Sequence, residues 1–185
     1  DLQDNCRIRR GIPPVWSAFG KDMAICLTDL LLSCAYASVS GVRRSHKVGL
    51  LVKVLHDAVS RTLRGQLKDI QVSPASTPTA RGLMETALNK SGPFFGLALQ
   101  LPLIYDGYEG EAETARQASN HFGLGYQILD DMEDVEEDRQ RGSGSNIVDV
   151  LSRSCSHHDS LLKAARLAES HLRWARRLAE TLPED

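Results

Sequence analysis

From Phe122 to Asp138 the chain reads Phe-Gly-Leu-Gly-Tyr-Gln-Ile-Leu-Asp-Asp-Met-Glu-Asp-Val-Glu-Glu-Asp, an apolar opening that passes into seven acids within nine residues. On a helix, Asp130 and Asp134 fall one turn apart on one face, with Gln127 a turn before and Asp138 a turn after. Like charges at that spacing destabilise a helix by roughly 0.2–0.5 kcal/mol per pair, and acids near a helix C-terminus also oppose its dipole. A cation is expected to offset both costs. Hard ions such as Mg2+ take oxygen ligands and are commonly held by one or two carboxylates together with a substrate phosphate. The alternative is a solvated acidic face, which explains neither the apolar leader nor the glutamine in register.

Two further stretches carry groups suited to phosphate. Asp1 and Asp4 share a helix face if that segment is helical, and Arg9 and Arg10 follow before Gly11 and Pro13, where they read as a helix end with projecting cations. Arginine forks match phosphate oxygens. Lys90 and Ser91 stand before Gly92-Pro93, and a proline there removes a backbone donor and breaks the helix beside a lysine and a hydroxyl. A salt-bridged helix end and a solvent-facing lysine are the plainer readings of these two stretches.

Helices must position all of these groups. Met23, Ala24, Leu27, Leu30, Leu31 and Ala35 recur at helical spacing after Ser17, broadly enough to predict a central, largely buried helix with Asp29 as its odd member. Val48, Leu51, Leu55, Ala58, Val59 and Thr62 mark the next, in which Gly65 implies close packing. Residues 73–78 form a polar loop. Leu83, Met84, Ala87 and Leu88 define another helix, and an apolar run resumes from Phe94 to Tyr105. A long helix from Glu111 to Asp138 carries the acids, a glycine-serine loop follows over 139–146, and an amphipathic helix from Leu161 to Leu178 turns Arg166, Arg173, Arg176 and Arg177 outward. The pair His157 and His158 reads as a polar surface turn.

Composition narrows the class. The 185 residues suffice for one domain, and a net charge of -2 gives no basic excess for nucleic acid. Leucine and alanine dominate and aromatics make up 5%, which favours an all-α protein. No apolar run approaches the ~18 residues of a membrane span. No stable membrane insertion is expected, and a soluble, cytoplasmic protein is. Cys6, Cys26, Cys34 and Cys155 lack paired spacing and read as reduced thiols.

With these residues in view, the sequence resembles the trans-prenyltransferases, the isoprenyl (polyprenyl) diphosphate synthase family. Asp1-Leu-Gln-Asp4 with Arg9-Arg10-Gly11 is similar to the tail of the family's first Asp-rich motif. Phe19-Gly20, Thr28-Asp29, Gly65-Gln66, Lys90-Ser91-Gly92 and Tyr126-Gln127 through Asp130-Asp131-Met-Glu-Asp134 match further signatures in order. The resemblance implies an all-α isoprenoid-synthase bundle around a deep apolar cavity, a single domain over 1–185 lacking its N-terminal helices, and a homodimer. It implies Mg2+ held by Asp4, Asp130 and Asp134 with Asp1 and Asp131 assisting, an allylic diphosphate on Arg9, Lys90, Ser91 and Gln127, and isopentenyl diphosphate on Arg10. The implied enzyme is a polyprenyl diphosphate synthase of the dimethylallyltranstransferase or geranyltranstransferase type, which ionises its substrate by metal assistance and needs no protein nucleophile.

The chain departs from the family pattern in places. No Gly-Gly pair occurs, so the upstream Gly-Gly-Lys-x-x-Arg segment has no counterpart and a C-terminal portion of a longer enzyme is expected. Trp16 stands where a histidine is common, and Ser91 where a threonine is. Gly142-Ser-Gly-Ser-Asn146 replaces a glycine-lysine segment, with Arg139 or Arg141 as stand-ins for its charge. Two other functions compete. A terpene cyclase mixes Asn, Ser and Glu into its second metal motif, and a non-catalytic partner subunit tends to lose acids from one motif, whereas here both motifs keep theirs. The absence of a Glu-x-x-His pair disfavours a di-iron bundle.

Overall fold

The computed structural model describes residues 2, 3, 5–71, 78–141 and 146–183, with the side chains of Asp69, Gln71 and Arg141 outside that description. Within these residues the chain is all-α, and its one extended pairing is the isolated bridge between Arg9 and Ile12. Two compact units divide it, residues 1–52 and 53–185.

In the first unit the described residues up to Ile12 form turns, contrary to the helix expected there. Arg9 N–H donates to Ile12 O (2.8 Å) and Ile12 N–H to Arg9 O (3.1 Å), with φ of +51° at Arg10 and +81° at Gly11. Both central residues thus occupy the left-handed region that a tight hairpin turn of this hand requires. Gly11 does so at no cost, whereas Arg10 bears about 1–2 kcal/mol of strain. Reading a helix end from Gly11 and Pro13 missed that the same residues also close a turn.

A short helix α1 (Val15–Phe19) follows, tied back by Trp16 Nε1 donating to Cys6 O at 3.0 Å. Helix α2 (Lys21–Ser40) then starts from Gly20, not from Ser17. None of its residues is buried; Met23, Ile25, Leu30 and Leu31 are all more than half exposed. The expectation of a buried central helix is therefore corrected. So is that of no span-length apolar run: an 18-residue window of α2 reaches a mean hydropathy of 1.6, long and apolar enough by length and composition to cross a membrane. Asp29 interrupts every uncharged run but hardly lowers a windowed mean. At the centre of a bilayer it would cost about 2.5–3.5 kcal/mol.

Helix α3 (Val48–Gln71) begins in the first unit and continues into the second, where it buries Leu55, Ala58 and Val59 at the predicted spacing. Helix α4 (Ala80–Lys90) is capped by Thr79 Oγ1, which accepts from Gly82 N–H at 3.1 Å. The chain breaks at Ser91, and Pro93 sits in the first turn of α5 (Gly92–Asp106), as the sequence requires. A Cβ on Gly65 would lie 2.9 Å from the backbone of Asn89 and Lys90, so α3 meets the end of α4 through its glycine.

Helix α6 (Ala112–Glu133) stops at Asp134, and α7 (Val135–Arg141) begins at the next residue. The single long helix to Asp138 is thereby corrected, and the electrostatics explain the break. Glu136, Glu137 and Asp138 fall in the first turn of α7, where the dipole favours acids, instead of in the last turn of a longer helix, where it opposes them. After α8 (Ile147–Ser152), helix α9 (His157–Ala179) starts at His157, with Ser156 Oγ accepting from Asp159 N–H at 3.1 Å. His157 and His158 thus open a helix and do not form a turn. Leu124, Ile128, Val135, Ile147, Val148, Ala164 and Ala168 form the core that joins α6 and α7 to α8 and α9.

One polar contact crosses the α6–α9 interface. His121 Nδ1 lies 2.8 Å from His171 Nδ1, with ring centroids 5.1 Å apart and planes within 30°. The difference between those separations is about twice the radius of an imidazole ring, so the nitrogens face each other head-on in a hydrogen bond that demands one donor and one acceptor. Burial lowers both pKa values below the ordinary 6.5, and the two imidazoles' mutual repulsion lowers that of His171 further. The unfolded chain therefore takes up these protons first, and stability that is full above pH 6.5 is lost as pH falls through the folded pKa values. Thermal melts between pH 8 and 5 should show this decline, with a smaller one in His171→Leu, which removes one of the titrating rings.

Candidate functional site

Of the residues singled out along the sequence, Lys90, Ser91, Gln127 and Asp131 meet where the α4–α5 break faces α6. Gly123 of α6 faces Gly92 so closely that a Cβ on it would lie 2.9 Å from the Gly92 nitrogen and Cα. This contact sets the first turn of α5 against α6 and brings Ser91 within reach of the Gln127 side chain. Ser91 Oγ–H donates to Gln127 Oε1 in a long bond of 3.4 Å, while Gln127 Nε2 donates to Asp131 Oδ1 (3.0 Å) and to Asp130 Oδ2 (3.3 Å). Lys90, Gln127 and Asp131 line one cavity of about 80 Å3, together with Thr86 and an apolar floor of Leu83, Met84, Leu124, Ile128 and Ile147. That volume holds only about two or three waters.

Asp130 is exposed and Asp134 half-buried at the helix break, while Asp131 turns inward. Asp131 Oδ2 accepts from Ile147 N–H at 2.9 Å. Burial pushes its carboxyl up to about 6, against the lowering effect of the Ile147 N–H and of Gln127, and Asp138 and Asp130 push the same way as burial. The three aspartates thus differ: Asp130 and Asp134 offer oxygens on the outward face, and Asp131 joins α6 to α8.

The folded chain keeps the Asp131 proton to about pH 6, and the unfolded chain releases it near 3.8, so this group's contribution to stability falls as pH rises through that window. Asp131→Asn should flatten that slope, because the amide does not titrate in this range. The slope is opposite in sign to that of the histidine pair and offsets it below about pH 6, so melts of His171→Leu and Asp131→Asn, compared with the parent's, separate the two.

Asp1 and Asp4 lie outside the described residues. Arg9 and Arg10 belong to the first unit, in the tight turn described above. Arg139 is committed elsewhere, donating to Asp149 (2.8 Å) and to Glu136 (3.0 Å), and so does not reach out as a substitute for the missing lysine. The side chain of Arg141 lies outside the described residues. Among the described residues no three His, Cys, Asp or Glu side chains converge on a metal position. The donors present on α6 suit a metal that needs only one or two protein carboxylates and completes its shell with water and phosphate, which is the habit of Mg2+. Asn146 was missed by the sequence reading, although an asparagine directly before Ile147-Val148 is a helix-start signal. A second, apolar cavity of about 470 Å3 lies between α5, α6 and α9, lined by Phe95, Leu99 and Phe122 among others, and contains none of the predicted residues.

The polyprenyl synthetase family model matches residues 1–171, and the chain belongs to that family. It is 29% identical over 142 residues to the short chain isoprenyl diphosphate synthase of Methanocaldococcus jannaschii, covering 76% of this chain and 43% of the relative. To the geranylgeranyl diphosphate synthase of Pseudescherichia vulneris it is 28% identical over 184 residues, covering 93% and 59%. The chain thus spans about half the length of these relatives. Among solved structures, the geranylgeranyl pyrophosphate synthetase of the archaeon Geoglobus acetivorans superposes with a TM-score of 0.89 at 20% identity, over the whole of this chain and 69% of that one, which establishes a shared fold.

Proposed function

We propose that this chain carries part of the active site of a trans-prenyltransferase, which joins isopentenyl diphosphate to an allylic diphosphate to give a longer all-trans prenyl diphosphate. The observation that carries the reading is the convergence of Lys90, Gln127 and Asp131 on one cavity, with Ser91 bonded to Gln127 and Asp130 and Asp134 on the adjacent face. Family membership supports the same reaction class.

In this reading Lys90 supplies the positive charge for the allylic diphosphate and Ser91 a hydroxyl donor. Gln127 orients that end of the site through its bonds to Ser91 and Asp131. Asp130 and Asp134 hold Mg2+, joined by Asp4 with Asp1 assisting; Asp131, also expected to assist, is instead occupied by the Ile147 N–H and Gln127, and Arg9 and Arg10 take the two diphosphates. Bound Mg2+ would supply Lewis acidity to the leaving diphosphate. The apolar floor beneath Gln127 keeps water from that side of the cavity. Residues 1–185 are taken as one isoprenoid-synthase domain. The exposed apolar face of α2 is taken as a homodimer contact and not a membrane span, because a second copy can bury those leucines while leaving Asp29 at a wet edge.

The test is to incubate the protein with isopentenyl diphosphate, Mg2+ and allylic diphosphates of increasing length, and to weigh the products. The reading expects masses that rise in isoprene steps only when Mg2+ is present. Cyclised hydrocarbon products would point instead to a terpene cyclase.

A further inference from the structure

Asn146 is 1% exposed and uses every polar atom of its side chain. Its Nδ2 donates to the backbone carbonyl of Asp131 (2.6 Å) and to Asp138 Oδ2 (2.9 Å), and its Oδ1 accepts from Val148 N–H (2.9 Å). The next residue adds the Ile147 N–H bond to the Asp131 carboxylate. One dipeptide therefore grips the last turn of α6 by backbone and side chain, and the first turn of α7 by Asp138, across the break at Asp134. Only a primary amide supplies two donors and an acceptor from one short side chain. An aspartate would add a third carboxylate beside two others and could not donate, and a serine has one donor to offer. The α6–α7 break has no other partner of this kind among the described hydrogen bonds.

We infer that Asn146 is a positioning residue, whose buried amide fixes the α6–α7 break and thereby the directions in which Asp130 and Asp134 present their carboxylates. It reaches neither of those carboxylates and acts through the backbone of Asp131 and through Asp138. The inference rests on the proposed function only for what the acidic face holds. Partners that orient metal-holding groups from behind typically cost about 10–100-fold in affinity when removed.

The experiment compares the protein with Asn146→Ala and with the milder Asn146→Ser, each well below its own melting temperature. Two quantities are measured: amide hydrogen exchange at Ile147 and Val148, and the Mg2+ concentration that half-saturates binding of inorganic diphosphate in a calorimeter. The expected result is exchange faster by about tenfold or more at both amides, and an Mg2+ requirement raised by about 10–100-fold with the binding stoichiometry unchanged. A folded variant whose Mg2+ requirement stays within about twofold of the parent's overturns the inference, because loss of a merely structural contact would leave it there. If the parent itself binds no diphosphate with Mg2+, the proposed function fails. Exchange then decides the positioning role alone: retained protection in Asn146→Ser overturns it, and lost protection supports it.

Discussion

Asp130→Ala is expected to lower prenyl transfer by about a thousandfold or more while leaving the melting temperature close to the parent's. The carboxylate is exposed and accepts a long bond from Gln127 at 3.3 Å, and polar contacts of so exposed a carboxylate are worth little to the fold. Surface substitutions of that kind usually stay within about 0.5 kcal/mol. Removing one of four like-charged neighbours even relieves repulsion along the helix. The loss in rate comes from metal-assisted departure of diphosphate, a contribution of several kcal/mol, of which about 4 kcal/mol corresponds to a factor of a thousand. Steady-state kinetics with circular dichroism melts of the same samples check both halves. An active Asp130→Ala protein would remove the acidic face from the mechanism.

Gly123→Val should have the opposite signature, losing fold and function together. Even a Cβ at residue 123 would lie 2.9 Å from backbone atoms of Gly92, which cannot rotate away, so α5 and α6 must separate. Overpacking of this sort costs about 1–3 kcal/mol and sometimes more. For a chain of this size each kcal/mol lowers the melting temperature by about 2–4 °C. Because Ser91 precedes Gly92, the same separation pulls Ser91 from Gln127 and opens the cavity floor. Gly123→Ala should fall between valine and parent. Unchanged melting in Gly123→Val would show that the helices have slack there.

The contrast between these variants marks what could be read from the sequence. Asp130 and Gln127 were legible because side-chain type and helical spacing suffice to put them on one face, and Lys90 and Ser91 because Pro93 marks the break beside them; that Asp131 turns inward was not. Gly65 was legible as a close approach, since a glycine inside an apolar helix has few other uses. The break at Asp134 was not, because Val135 continues the apolar periodicity of Leu124 and Ile128. The acids of α7 gain from a fresh helix start, a gain that spacing alone does not reveal. The turn at Arg10 was hidden for a related reason: Gly11 serves a helix end and a hairpin equally well, and the choice depends on a strained arginine. His121 and His171 stand fifty residues apart and meet only through the packing of α6 on α9. For α2, periodicity reported an apolar surface correctly but could not say what covers it.

The proposed function has Asp4 and Asp130 both serving Mg2+. A double-mutant cycle on Mg2+-dependent binding of inorganic diphosphate, built from Asp4→Asn, Asp130→Asn and their combination, tests it most directly. Residues sharing one ion cluster should be coupled by about 1 kcal/mol or more, so that the second substitution costs far less once the first is made. Costs that add to within about 0.5 kcal/mol would mean that the two aspartates act on separate ions or on none, and would contradict the account.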